Sequence, residues 1–166
     1  NDSSGDIDIE NTSLFDGTYK RSMIVIYHSA VSVDGAEVRF RLKLNGSYNA
    51  AGDYCYYWRQ RQSGANSTVT DQSSSNGFVP MMESIGNAAG EGFEGTIEWN
   101  DSASTVHWKR VKWNLTAGKS DGEMIQNIGA GMVNGTDATT ALTGLKLHLA
   151  SGNFGQIHYA GYGLTL

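Results

Sequence analysis

Val38-Arg39-Phe40-Arg41-Leu42-Lys43-Leu44 is the stretch that decides the fold: four apolar residues recur at every second position and three cations fill the places between them. In an extended chain successive side chains point to opposite faces, so Val38, Phe40, Leu42 and Leu44 share one face and Arg39, Arg41 and Lys43 the other. The segment reads as a half-buried antiparallel strand. The same period returns in Leu145, Leu147 and Leu149 around Lys146 and His148, and in Ile157 and Tyr159 against Gln156 and His158. In Met23-Ile24-Val25-Ile26-Tyr27 both faces are apolar. That strand is expected to be central, covered on both sides or lying in an interface.

Outward from these segments the alternation continues with one break. In residues 105–115, Val106 and Trp108 keep one phase while Val111, Trp113 and Leu115 keep the other. A step of three predicts a bulge near Lys109-Arg110. Residues 53–60, 92–99 and parts of 123–133 also read as strands. Asp34-Gly35, Asn45-Gly46, Asn76-Gly77, Asp121-Gly122, Asn134-Gly135 and Ser151-Gly152 supply the turns, since these residues tolerate positive φ. Residues 62–76 and 84–95 are expected to be long exposed loops. No helical period is found. The expectation is an all-β protein: an antiparallel β-sandwich, jelly-roll-like, with about eight or nine strands. Residues 1–18 are expected to be an extended N-terminal arm and residues 19–166 a single sandwich domain.

Composition agrees with that architecture. Only 17% of the 166 residues are charged, against about 25% in ordinary soluble domains, so Ser, Thr, Asn, Gln and Gly must cover much of the surface. Such a surface suits an extracellular or virion protein. The net charge of -5 gives no attraction to phosphate backbones, which argues against nucleic acid as a partner. The longest apolar run, residues 23–27, is far below the roughly 20 residues of a spanning helix, so no membrane insertion is expected. A lone Cys55 excludes an internal disulfide, and no Cys/His spacing suits zinc. The first residue is Asn1 rather than Met, as in a fragment, a processed product or the ordered part of something longer.

The chemistry-bearing residues form no motif. His28, His107, His148 and His158 all fall in strand-like contexts, and His148 and His158 are expected to be cross-strand neighbours. Glu91, Glu94 and Glu98 flank a Gly-rich loop and could supply the acid and base of a glycosidase, although nothing fixes them as a pair. Asp6, Asp8 and Glu10 alternate as a calcium site could, but they read better as an exposed acidic arm. Residues 90–95 match GxGxxG by spelling only, outside any strand-helix context. There is no nucleophile elbow. No catalytic residue, metal or cofactor is therefore expected, and Cys55 reads as a small buried strand residue. Aromatics carry the remaining functional signal, because a ring outside the core offers a sugar a flat apolar face. Trp58, Trp99 and Tyr56 are the glycan-binding candidates, beside the loops 62–76 and 84–95. Alternation puts Tyr54, Tyr56 and Trp58 on one face and Cys55 and Tyr57 on the other, so only one set can be fully interior.

Three segments carry a family resemblance. Residues 14–26, Leu-Phe-Asp-Gly-Thr-Tyr-Lys-Arg-Ser-Met-Ile-Val-Ile, run from a polar loop through an aromatic into an apolar strand. Residues 34–42, Asp-Gly-Ala-Glu-Val-Arg-Phe-Arg-Leu, form a "DGA" turn leading into an alternating strand. Residues 151–164 hold a Ser-Gly-Asn-Phe turn and a closing strand with Tyr162-Gly163 near its end. Together they resemble the small β-domains of tailed-bacteriophage virion proteins, whereas residues 62–122 match nothing specific. The resemblance implies a non-enzymatic structural protein located on the virion, as a tail fibre, receptor-binding tip or head decoration. It also implies a homo-oligomer, most often a trimer, with other virion proteins and a host cell-surface glycan as further partners. The alternatives are a carbohydrate-binding module for cell-surface glycans and a glycoside hydrolase-type enzyme domain.

Overall fold

The computed structural model describes residues 5–10, 12–49, 54–63, 68–73 and 77–165. Within them the chain forms β1 (Asp6–Ile9), a helical turn α1 (Thr12–Phe15), β2 (Arg21–Val31), β3 (Ala36–Leu44), β4 (Ser47–Tyr48), β5 (Tyr54–Gln62) and β6 (Thr68–Ser73). Then follow β7 (Val79–Ile85), β8 (Gly92–Asn100), β9 (Arg110–Gly118), β10 (Met124–Val133), β11 (Leu142–Leu149) and β12 (Phe154–Leu164). All the strand pairs are antiparallel.

Two sheets result. The smaller runs β1-β11-β3, with β4 and β7 both paired to β3. The larger has seven strands in the order β12-β2-β8-β9-β10-β5-β6. The chain passes between the sheets several times, β8, β9 and β10 run on as a meander in the larger one, and the interior of the sandwich lies between the two inward faces. In β3 the alternation is followed residue by residue: Val38, Phe40 and Leu42 are fully buried, Leu44 nearly so, and the cations between them reach solvent. Leu145 and Leu147 of β11 stand in register with Leu42 and Phe40 and are also buried. Removing one such leucine from water stabilises the fold by about 2 kcal/mol, and dozens of buried apolar residues repeat the contribution. Ile157 completes the expected core set.

Aromatic rings fill the middle. Phe40 meets Tyr54 and Trp113 edge-on at 6.4 and 5.8 Å, and the Tyr54 hydroxyl donates to the Asn49 carbonyl and accepts from the Leu42 amide, so its polar tip is satisfied in the interior. Gly129 lies in register between Trp58 and Trp113. Both rings turn inward, and the absent side chain leaves them room. Phe15 of α1 stacks on Trp99 at 4.8 Å and closes one end of the core.

The structure departs from the sequence reading in several places. Among the described residues the strands number twelve rather than eight or nine: the two-residue β4 is too short to display a period, the acids of β1 read as a solvated arm despite Ile7 and Ile9, β6 lies in a stretch rich in turn residues, and β7 is buried without alternation. Of the expected N-terminal arm, Asp6–Ile9 is an outer strand of the smaller sheet: Ile7 and Ile9 are buried, while Lys146 bonds Asp6 at 2.9 Å and lies 3.5 Å from Asp8. Within the single chain residues 23–27 are covered on one side, so of the two expected arrangements the strand covered on both faces is not formed. Ile24 and Ile26 point into the core, whereas Tyr27 is 52% exposed on the outer face, one strand from the sheet edge. The step of three before Val111 is not a bulge but the end of a loop, since β9 begins only at Arg110. Both expected long loops are partly strand: Gln62 still belongs to β5, β6 occupies 68–73, residues 84–85 end β7 and 92–95 begin β8, with 86–91 between them. His148 and His158 lie in different sheets, and the residue opposite His158 is His28.

Candidate functional site

The three aromatic candidates do not form a surface. Trp58, Trp99 and Tyr56 are 6%, 2% and 4% exposed, all turned into the core. Trp99 stacks on Phe15, with its indole N–H directed at the Leu14 carbonyl at 3.4 Å. Trp58 faces inward because the whole Tyr54, Tyr56, Trp58 set does. None of these rings can stack on a sugar in the folded protein. Of the loop proposed beside them, residues 64–67 and 74–76 lie outside the described residues.

Another aromatic is exposed: Trp108, at 47%, in the loop 101–109 between β8 and β9. Several local bonds shape this loop. Asp101 takes a positive φ of 49° and anchors its amide on the Lys20 carbonyl at 3.0 Å. The Ser104 hydroxyl accepts from the amides of Val106 and His107 at 3.2 and 3.0 Å, a serine turn that reverses the chain. The amide of Leu142 donates to the Ser102 carbonyl at 2.8 Å and ties the loop base to β11.

The most telling contact is made by Lys109. Its side chain is buried, and the ammonium donates to the carbonyls of Ser104 and His107, the latter at 3.0 Å. Burial pulls its pKa below the ordinary lysine value, partly countered by the Asp101 carboxylate. A cation held inside the loop by the loop's own carbonyls fixes the apex while leaving it outside the core. Val106 is 75% exposed there, next to Trp108.

Asn100, Asp101, Val106, His107, Trp108 and Arg110 line an open cleft of about 450 Å³. Asp101 is kept ionised by the His107 ring, whose Nδ1 is 3.0 Å from its carboxylate, with further help from Lys20. The cleft thus combines one flat apolar ring, a guanidinium donor, an ionised acceptor and an amide that does both. A ligand with apolar C–H faces and hydroxyl edges matches that set.

Ser104, His107 and Asp101 share the loop but lack the order of a hydrolytic triad. Ser104 Oγ at 3.3 Å and Asp101 Oδ2 at 3.0 Å both approach the same nitrogen, Nδ1, whereas proton relay needs serine and aspartate on opposite ring nitrogens. Glu91 and Glu94 line a second depression of about 320 Å³ together with His28, but Glu98 is outside it, paired with Arg21. The Glu91 carboxylate accepts from the Ala88 amide at 2.7 Å and so closes its own turn. Asp6, Asp8 and Glu10 are engaged with Lys146, Lys43 and Tyr48. Among the described residues no group of three or more His, Cys, Asp or Glu could hold a metal ion.

Sequence reasoning grouped Trp108 with the strand aromatics and thereby missed it. The signal was present in the phase break before Val111 and in Ser102-Ala103-Ser104-Thr105, a run of small turn-forming residues.

No protein-family model matches the sequence, and no curated protein does. Among solved structures, one likeness is to a Bacteroides ovatus protein of unknown function, at 6% identity and a TM-score of 0.22, covering 75% of this chain. The chain spans 46% of that protein's length. Another is to the marine PL-14 alginate lyase from Aplysia kurodai, at 10% identity and a TM-score of 0.24, covering 87% of this chain and 71% of that one. Likeness at this level bears on neither fold nor function.

Proposed function

We propose that this chain is a non-enzymatic recognition domain of a virion exterior, which binds a cell-surface saccharide in the Trp108 cleft. The observation that carries the reading is the placement of an exposed indole beside Asn100, Asp101 and Arg110, on a loop fixed from inside by Lys109. A rigid aromatic surrounded by directional polar groups loses little entropy when a polyhydroxylated ring docks. The virion setting is supported by the resemblance of residues 14–26, 34–42 and 151–164 to phage β-domains. Self-association is supported by the outer strip of Tyr27, Tyr162 and Leu164, each about half exposed on β2 and the edge strand β12, and the trimer is what the resemblance to phage β-domains implies. Several copies on one particle raise the avidity of a weak single site.

A glycan array probed with the assembled protein, followed by host-cell adsorption, tests the reading. Trp108→Ala should abolish both signals without changing the circular dichroism spectrum. Binding that survives Trp108→Ala, or sedimentation of nothing but the monomer, overturns the corresponding part. A hydrolase reading has one observation in its favour, the shared depression of Glu91, Glu94 and His28. Turnover of a glycosidase substrate, lost in Glu91→Gln or Glu94→Gln, would establish it in place of the non-enzymatic one.

A further inference from the structure

Beyond the Trp108 cleft, Arg110 also lines a second depression. It opens on the outer face of the larger sheet, about 210 Å³ in volume, among Cys55, Tyr57, Arg110, Lys112, Ala130 and Met132. Strand register explains its shape. Ala130 of β10 stands between Tyr57 of β5 and Lys112 of β9, and Met132 stands between Cys55 and Arg110. With only a methyl at position 130, the sheet dips between the Tyr57 ring, 47% exposed, and the cations of β9.

Arg110 and Lys112 are two residues apart on one strand and project from the same face, about 7 Å apart along it. Both are exposed, and among the described residues neither belongs to an ion pair. The nearest acid in register with Lys112 is Glu98, and that carboxylate is taken by Arg21. On the other side, Arg59 and Arg61 of β5 continue the positive character along the same outer face, while Asp71 stands in register with Tyr57 on β6, past the trough. In a protein of net charge -5, Arg110 and Lys112 are a local concentration of positive charge outside any ion pair among the described residues. It begins where the Trp108 cleft ends.

The geometry points to one continuous groove for an acidic saccharide chain. One sugar unit stacks on Trp108, Arg110 bridges to the next, and a carboxylate of the chain lies over Ala130 between Lys112 and Tyr57. This inference rests on the saccharide reading above and narrows its ligand class to anionic glycans. Arg110 suits the bridging place because a guanidinium can hold a carboxylate in a planar fork and still donate to a hydroxyl on its other edge.

The test uses short oligogalacturonides and the same oligomers with their carboxylates methyl-esterified, titrated calorimetrically into the full chain at low and high salt. A sulfated, heparin-derived oligosaccharide of similar length distinguishes carboxylate recognition from generic anion attraction. The free acid should bind at least roughly tenfold more tightly than the ester at low salt, as loss of one charge-assisted contact implies. It should also exceed the sulfated oligomer. Lys112→Gln and Arg110→Gln, both surface changes, should erase the preference for acid over ester, and Trp108→Ala should weaken acid and ester alike. Equal binding of acid and ester overturns the anionic groove and leaves the saccharide reading standing. A preference that survives Lys112→Gln overturns it too, as does tighter binding of the sulfated oligomer. Absence of binding to all three oligomers, with the array also blank, overturns both readings together.

Discussion

Replacing Gly129 with alanine adds one methyl group at the point where two tryptophans meet across β10. A Cβ built there lies 2.1 Å from Cζ2 of Trp113, 2.5 Å from Cε2 and 2.8 Å from Cη2. Carbon atoms in comfortable contact are about 3.5–4.0 Å apart, so the indole must retreat by more than about 1 Å. It has nowhere to go. Its N–H donates to the Met81 carbonyl at 3.1 Å and to Asn127 Oδ1 at 3.2 Å, and Phe40 sits against its face at 5.8 Å in a ring-edge contact. Overpacking alone costs about 1–3 kcal/mol, and stretching the buried hydrogen bonds adds about 1–2 more. The lower entropy of an unfolded alanine returns at most about 1 kcal/mol. The expected net loss is about 2–4 kcal/mol, which for a chain of this size lowers Tm by roughly 5–15 °C. Urea unfolding followed by tryptophan fluorescence measures it. Gly155→Ala is the control, since its Cβ would meet nothing closer than 3.7 Å and should change stability by less than about 0.5 kcal/mol. Trp113→Phe removes the struck atoms, so the double variant should be less damaged than the sum of the singles by about 1 kcal/mol or more. A Gly129→Ala protein as stable as the parent would refute the packing argument.

Three further perturbations probe separate parts of the molecule. Leu147→Asp places an unpaired carboxylate at a fully buried position and should prevent folding; soluble protein with a native-like spectrum would show that β11 faces the other way. His148 has its pKa lowered to about 4 by burial and by the nearby Arg41, so the folded protein holds it neutral while the unfolded chain takes up a proton below about 6.5. Its contribution is therefore present above pH 6.5 and is lost progressively as pH falls towards 4. Over that range the denaturation midpoint should drop in the parent and drop less in His148→Phe; parallel curves would remove His148 as the cause. Lys109→Met keeps the buried stem and deletes the ammonium that holds the Ser104 and His107 carbonyls. Saccharide binding should weaken by roughly tenfold or more, as expected when a preorganised loop is released, with the sheet amides still protected from hydrogen exchange. Unchanged affinity would mean that the loop needs no such clamp.

What the sequence determined by itself was whatever depends on neighbours along the chain. The alternation of Val38, Phe40, Leu42 and Leu44 with cations is a local property of an extended backbone, and the same holds for the β11 leucines, so the all-β class and these core faces were legible without any tertiary knowledge. Residues 54–58 show where legibility ends. Alternation separated Tyr54, Tyr56 and Trp58 from Cys55 and Tyr57, but both sets contain tyrosine, and only the position of the opposite sheet put the first set inside. Trp99 and Trp108 pose the same problem more sharply. They stand nine positions apart in one sequence stretch, yet one stacks beneath Phe15 and the other lies half in solvent, because the loop between them is turned by Ser104 and held by a buried Lys109. Burial of an aromatic is decided by what the rest of the chain brings against it. The cleft at Trp108 and the cationic trough beyond it join residues from β5, β8, β9 and β10, whose meeting is fixed by sheet order, and sheet order is set by the fold as a whole rather than by the residues along any one strand.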